Sequence, residues 1–252
     1  MTHPIKVYLC LILLCATISY HSFAQTNQPI IPKSGSGAKS FVPKGWKVIS
    51  LSKGDLNKDG LTDEAFVIQN TNPKNIIANE EGRMGGNMLD INPRMLIVVF
   101  RMPTGSYKLV VSNRAFIPTQ NDKESSCLLD PLLESDGVTI DKGQLKISYK
   151  YFYSCGGWEV TLTTYTFRHQ NEQFELIGYD DYSMHRSTGE EQSSSINFST
   201  LKQRSSSGGN VFSEEKNNPK TVCQKIKPVK LLSLDLLTGD KMTNFLSGLS
   251  AY

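Results

Sequence analysis

Apolar and polar side chains alternate along much of this chain with a period of two residues. Between 145 and 153 the sequence LKISYKYFY places apolar or aromatic residues at every odd position. A strand with one buried face produces this pattern, because successive side chains point to opposite faces of a sheet. The run Leu96–Phe100 is apolar throughout, which predicts a central strand covered on both faces.

Helical periodicity is weak by comparison. Only Leu231–Leu249 indicates a strand followed by one or two helical turns, from the spacing of Leu236, Leu237, Met242, Phe245 and Leu246. We therefore predict a mainly β fold built from antiparallel sheets, arranged as a sandwich or a partial propeller-like body, with few short helices.

Three hairpins can be placed from turn residues. The turn at 103–106 joins Leu96–Phe100 to Tyr107–Val111, and Lys142-Gly143 joins 138–141 to 144–153. A third hairpin pairs 158–168 with 173–179 across the turn 169–172. In its first strand Trp158 and Tyr165 fall on opposite faces, which predicts a bulge near Thr163 or a strand that changes the sheet it packs on.

The first 24 residues have the features of a secretory signal peptide. Lys6 precedes an apolar run from Val7 to Ile18, and the small residues Ser22 and Ala24 predict cleavage after 24. A retained anchor is the alternative, but the run is too short to cross about 30 Å of hydrocarbon. We expect an exported protein, periplasmic or secreted, with no stable membrane span after cleavage.

Composition divides the remaining chain. The polar, Gly- and Ser-rich stretches 25–44 and 202–226 are typical of flexible linkers. Between them, 45–201 is predicted to be one β-rich domain, and 227–252 a short C-terminal segment. The near balance of 27 Lys and Arg against 24 Asp and Glu, without a basic stripe, argues against nucleic-acid binding.

Removal of the signal peptide would leave three cysteines. Cys127 and Cys155 both flank predicted strands, whereas Cys223 lies in a polar stretch. In an oxidising compartment two of the three should pair. We expect a disulfide between Cys127 and Cys155, although the other pairings stay open because the Cα separation decides which bridge forms.

A nine-residue segment, DLNKDGLTD from 55 to 63, carries oxygen donors at alternate positions. Its candidate metal ligands are the side chains of Asp55, Asn57, Asp59 and Asp63 and the backbone carbonyl of Leu61. Ca²⁺ takes about 6–8 oxygen ligands, so this spacing predicts a calcium site. A metal-free Asp/Asn/Gly turn is the alternative, but the three carboxylates would then repel one another without compensation.

The loop differs from an EF-hand, because position 12 is Phe66 and a β-like run follows it. The block 54–63 instead resembles the calcium loop of FG-GAP and VCBS repeats, although it occurs only once. With further landmarks the chain resembles a group of exported bacterial proteins of unknown function. These landmarks are 92–94, 151–158, 165–171 and 174–180. The resemblance implies export and a calcium-type loop, and it implies no activity.

Catalytic interpretations of the sequence have less support than the calcium site. Cys155 as nucleophile, with His169 or His185 as base and Asp180 as orienting group, would make a thiol hydrolase. However, His169 lies in a predicted turn and Cys155 is a disulfide candidate. No pair of cysteines or histidines has zinc-ligand spacing.

Two other features could bind a ligand. The segment 179–191 is polar and is predicted to be an exposed loop. The aromatic series Tyr149, Tyr151, Tyr153 and Trp158 would suit either sugar stacking or cross-strand packing.

These observations favour an exported β-rich binding or structural module with one structural Ca²⁺, and an enzyme is the less favoured interpretation. Its partner would be an unidentified protein or glycan. A periplasmic hydrolase, or an inhibitor or immunity-type protein, is the alternative.

Overall fold

The computed structural model of the chain describes residues 29–213 and 219–249. The predicted signal peptide, 1–24, lies outside this part of the chain. Within it, no helix is long and apolar enough to cross a membrane.

Two antiparallel sheets and one small ribbon form the fold, as predicted. The first sheet has the order β1-β7-β6-β3-β2. Its strands are β1 Ser34–Gly35, β2 Trp46–Gly54, β3 Asp63–Asn70, β6 Arg94–Arg101 and β7 Tyr107–Asn113. The ribbon pairs β4 Ile76–Ala78 with β5 Met88–Asp90.

The second sheet is a meander in which each strand pairs with the next along the chain. Its strands are β8 Val138–Asp141, β9 Gln144–Phe152, β10 Glu159–Gln170, β11 Gln173–His185, β12 Glu190–Asn197, β13 Lys202–Asn210 and β14 Lys220–Lys225. The three predicted hairpins are all present, as β6–β7, β8–β9 and β10–β11.

The two sheets pack face to face around one apolar core. Val67 and Val98 of the first sheet belong to the same buried cluster as Ile147, Phe167 and Leu176 of the second. At one edge the sheets also meet through side chains, since the Ser52 hydroxyl accepts the Ile140 N–H at 2.9 Å. This arrangement is the sandwich alternative of the predicted fold class.

The first sheet is buried on both faces, as the apolar run in β6 predicts. Its other face carries Phe66, Ile68 and Ile97, and it is covered by Ile31 and Phe41 from the N-terminal segment. The segment 25–44, predicted to be a linker, is therefore part of the packed body wherever it is described. A few apolar side chains, together with the β1–β7 pairing, hold this polar stretch in place.

The second predicted linker, 202–226, also differs from expectation. It contributes β13 and β14, which extend the second sheet beyond the core. Serine-rich strands can join a sheet because the ladder hydrogen bonds come from the backbone. Ile226, just after β14, is buried in the main cluster and anchors this extension.

Two further expectations in the second sheet are wrong. The segment 179–191 is not a loop, because β11 continues to His185 and only 186–189 turn into β12. The strand β10 has no bulge near Thr163. Its pairing with β11 shifts instead between Thr166 and Phe167, where Ile177 is the extra residue on β11.

The C-terminal segment packs across the sandwich. A 3-10 turn at Leu234–Leu236 precedes the helix α1, Gly239–Ser247. The Asn113 side-chain amide donates to the carbonyls of Leu234 and Leu237 at 2.6 and 2.8 Å. Met242 of α1 is buried in the core, so this segment closes one side of the domain.

A buried ion pair connects the first sheet to the segment that leads into the second. The Arg94 guanidinium, fully buried, donates to both carboxylate oxygens of Asp130, at 2.7 and 2.5 Å. Arg94 Nε also donates to Gln69 Oε1 at 2.9 Å. The chain around Asp130 in turn pairs with β9, where the Lys150 N–H donates to the carbonyl of Pro131.

We expect Asp130→Asn to lower the free energy of unfolding by about 3–5 kcal/mol, because it leaves the Arg94 charge buried without a counterion. Urea unfolding of the variant and of the unmodified chain measures the difference. The matched control is Asp141→Asn, which breaks the exposed pair with Lys146 and should cost at most about 1 kcal/mol. Equal losses in the two variants would contradict this role for the buried pair.

Candidate functional site

The loop predicted to bind calcium connects β2 to β3 at one end of the sandwich. Gly54 and Asp63 face each other as the last strand pair before it. Leu56 turns inward and is buried in the core, at 1 % exposure. The β8–β9 turn lies against the loop, since a Cβ built on Gly143 would be 3.4 Å from the Asp55 carbonyl oxygen. The loop is therefore supported from both sheets.

The Asp55 carboxylate organises the backbone of the loop. One of its oxygens accepts the Lys58 N–H at 2.6 Å, and the other accepts the Gly60 N–H at 2.9 Å. Both residues have positive φ, 65° at Lys58 and 84° at Gly60. Glycine adopts this conformation without steric cost, and the chain consequently wraps around the Asp55 side chain.

Asn57 and Asp59 are in direct contact. The Asn57 amide donates to Asp59 Oδ2 at 2.9 Å, and Asn57 Oδ1 accepts the Asp59 N–H at 3.1 Å. Asp59 Oδ1 accepts the Leu61 N–H at 2.8 Å. The structure thus brings Asp55, Asn57, Asp59 and Leu61 together in one exposed turn.

Asp63, in contrast, is fully buried. Its two oxygens accept the N–H groups of Leu56 and Arg101, at 2.8 and 2.9 Å. Burial raises the pKa of the Asp63 carboxyl, and these two hydrogen bonds partly oppose the rise. Asp63 therefore anchors the loop to β6, and its role as a calcium ligand stays a prediction.

No three His, Cys, Asp or Glu side chains within 29–213 and 219–249 are grouped so that they could hold a metal ion. The side-chain donors that meet in the loop are two carboxylates and one amide oxygen. All three are the hard oxygen ligands that Ca²⁺ prefers. The donor chemistry of the exposed turn fits calcium, with Asp63 as a support for the loop.

The same end of the sandwich contains His169. It was expected in a turn but lies in β10, because the turn itself is formed by Asn171 and Glu172, both with positive φ. Its ring contacts Phe100 and Phe174, with centroid distances of 4.8 and 5.2 Å. Burial lowers the pKa of His169, and the nearby Asp63 charge partly opposes this effect.

The groups of the hydrolase alternative are dispersed. Cys155 forms a disulfide with Cys127, with a Cα–Cα distance of 5.6 Å, so its sulfur is not a free thiolate. Cys223 is a free and exposed cysteine. His185 Nδ1 contacts the hydroxyls of Ser187 and Thr188. Nothing in the described parts of the chain places His169, His185 or Asp180 in contact with Cys155.

The aromatic series that alternates along β9 does not form one platform. Tyr149 is buried and Tyr151 is half-buried on the inner face of the second sheet, whereas Tyr153 is exposed beyond the end of β9. Trp158 stacks on His185, with ring centroids 6.2 Å apart. Tyr149 and Tyr151 instead join Tyr165 and Tyr179 from the next two strands, a grouping that single-strand alternation did not reveal.

Comparison with known protein families, with curated proteins and with solved structures finds no match for this chain.

We expect the fold to lose stability as the pH falls below about 6.5, because the pKa of His169 is lower in the folded chain than its ordinary value of 6.5. In that range the unfolded chain binds a proton before the folded chain does, so protonation favours unfolding. Urea unfolding across about pH 5 to 8 measures this dependence. His169→Phe should remove the loss of stability below pH 6.5, and above that pH the stability of the variant should vary with pH as that of the unmodified chain does. The same pH dependence in both proteins would contradict the role given to His169.

Proposed function

We propose that this protein is an exported, β-rich binding or structural module in which the loop 55–63 holds one structural Ca²⁺. The observation that carries the proposal is the convergence of Asp55, Asn57, Asp59 and Leu61 in a single wrapped turn. Asp55, Asn57 and Asp59 would supply side-chain oxygens and Leu61 its carbonyl, with water completing the 6–8 ligands that Ca²⁺ takes.

A cation would relieve an electrostatic cost in this loop. Asp55 and Asp59 carry like charges within a five-residue span, and no ion pair in the described part of the chain includes either carboxylate. Like charges at short range repel. Bound Ca²⁺ would neutralise them and favour the wrapped conformation over open ones.

The ion would act on structure rather than on chemistry. The loop is tied to β6 through Asp63 and Arg101, and it lies against the β8–β9 turn. A rigid loop would therefore order the strand ends of both sheets at this end of the sandwich. The stabilisation follows mass action and grows as RT ln(1 + [Ca²⁺]/Kd).

Export is supported by the signal-like sequence of 1–24 and by the Cys127–Cys155 bridge. Disulfides persist in oxidising compartments outside the cytosol. Extracellular calcium sites need only weak affinity, in the range of about 10⁻⁴–10⁻³ M. The location and the proposed ion are thus compatible.

We expect Ca²⁺ at about 100 times its Kd to stabilise the protein by about 2.7 kcal/mol, an increase of about 5–10 °C in Tm for a chain of this size. Thermal unfolding in Ca²⁺ and in chelator, followed by circular dichroism, measures the shift. Asp59→Ala should abolish it, because Asp59 is an exposed ligand whose loss removes one charge.

The matched control is Asp122→Ala. Asp122 is also exposed and also accepts the N–H of the residue two positions on, Glu124, at 2.8 Å. This variant should keep the full calcium response. Identical Tm values in Ca²⁺ and in chelator for the unmodified chain would refute the proposal.

A further inference from the structure

An open cleft lies between the inner face of the second sheet and helix α1. Its walls include Tyr149, Tyr151, Tyr165 and Tyr179 from three adjacent strands, with Phe116 and Leu246 opposite. Its volume of about 390 Å³ falls within the range of small-molecule sites, about 300–1,000 Å³. The cleft is separate from the loop 55–63, none of whose residues line it.

The tyrosine rings form a connected cluster. Tyr165 lies 5.8 Å from Tyr149 and 5.4 Å from Tyr179, measured between ring centroids. Tyr149 lies 6.4 Å from Tyr151. Burial raises the pKa of all four hydroxyls, that of Tyr151 to about 12. The phenols are therefore neutral at physiological pH, and all four residues contribute to the lining of the cleft.

One polar group in this cluster has unused hydrogen-bonding capacity. The Tyr149 hydroxyl is already used, since it donates to the Phe116 carbonyl at 2.9 Å. Thr163, 5 % exposed, lies directly between Tyr149 and Asp181 across the strands. Its hydroxyl has no hydrogen bond of normal geometry, which is unusual for a buried polar atom.

The Asp181 carboxylate lies beside the tyrosines, although it does not itself line the cleft. Asp181 Oδ2 accepts the Tyr179 hydroxyl at 3.2 Å. No ion pair among the described residues includes Asp181. The charged side chain that acts on its carboxyl is another acid, Glu159, which repels it. Burial and Glu159 both raise the pKa of the Asp181 carboxyl, whereas the Tyr179 hydroxyl lowers it. The negative charge is thus partly desolvated and uncompensated.

We propose that this cleft binds a small organic ammonium ion, with the tyrosine rings against the cation and the Asp181 carboxylate, one hydrogen bond behind Tyr179, as the balancing negative charge. Aromatic faces attract cations through the ring quadrupole, and quaternary ammonium groups are recognised by aromatic cages. A cationic ligand would also supply the ion-pair partner that Asp181 lacks among residues 29–213 and 219–249.

The surroundings disfavour other ligand classes. No basic side chain lines the cleft, so an anion would find no cationic partner there and would lie near the Asp181 carboxylate, which is hydrogen-bonded to the lining residue Tyr179. Lys241, in the first turn of α1, does not line the cleft. Its ammonium group donates to the Leu236 carbonyl at 2.8 Å instead. A neutral sugar could stack on the rings, but it would leave the Asp181 charge unpaired.

Isothermal titration calorimetry of the full chain with choline chloride tests the proposal, with the ionic strength held constant by NaCl. The neutral isostere 3,3-dimethylbutan-1-ol has the same shape and lacks the charge. We expect saturable choline binding and at least about tenfold weaker binding of the isostere, a difference of about 1.4 kcal/mol. Titrations in Ca²⁺ and in chelator separate this outcome from the calcium proposal, which concerns a different part of the fold.

Asp181→Asn should reduce choline affinity about tenfold or more, because it removes the counterion and keeps the shape. The matched control is Asp180→Asn. Asp180 is the next residue of β11 and points to the opposite face of the sheet, so its loss should change the affinity by less than about twofold. Tyr151→Ala should weaken choline binding, whereas the exposed Tyr153→Ala should leave it unchanged.

Circular dichroism and Tm verify that each variant is folded before its affinity is compared. The proposal is overturned if choline shows no saturable binding to the unmodified chain. It is equally overturned if the isostere binds as well as choline, or if Asp181→Asn binds as the unmodified chain does. Saturable binding of methyl glucoside that Asp181→Asn does not weaken would assign the cleft to neutral ligands instead.

Discussion

The pairing of a fully buried arginine with one carboxylate links the two halves of this protein. Arg94 belongs to β6, a central strand of the first sheet, and Asp130 lies in the segment that runs beside β9 of the second. A buried guanidinium is tolerated only when its donors are used, and here they reach Asp130, Gln69 and the Pro118 carbonyl. The Cys127–Cys155 bridge ties the same segment to the region after β9. Together these contacts fix the position of one sheet relative to the other.

Two regions of the sandwich differ in chemistry because different contacts form each of them. At one end, Asp63 uses both carboxylate oxygens to join the loop 55–63 to β6, so the exposed acids of that loop sit on a rigid base. On the inner face of the second sheet, the meander brings tyrosines from β9, β10 and β11 side by side under α1. The proposed ion and the proposed ammonium ligand would occupy these separate places. Both would compensate acidic groups that form no ion pair in the part of the chain that the structure describes.

Local sequence patterns predict most of the strands and hairpins, but they do not predict where the folded domain begins and ends. Alternation and turn residues located the hairpins around Lys142-Gly143 and 103–106, since both signals lie within a few residues of one another. The segments 25–44 and 202–226 were mistaken for linkers because their composition is polar. Ile31, Phe41 and Ile226 hold them in place, and three buried apolar side chains within some forty residues are too sparse to produce a periodic pattern.

The sequence by itself determined the β class, the main hairpins and the oxygen-rich composition of the loop 55–63, because these depend on neighbouring residues. Only the tertiary structure decided that Asp63 turns inward to Arg101, that His169 lies between two phenylalanines, and that four tyrosines meet. Each of these depends on which strands lie side by side. Spacing along one strand specifies the face on which a side chain lies, but long-range packing specifies what that face meets.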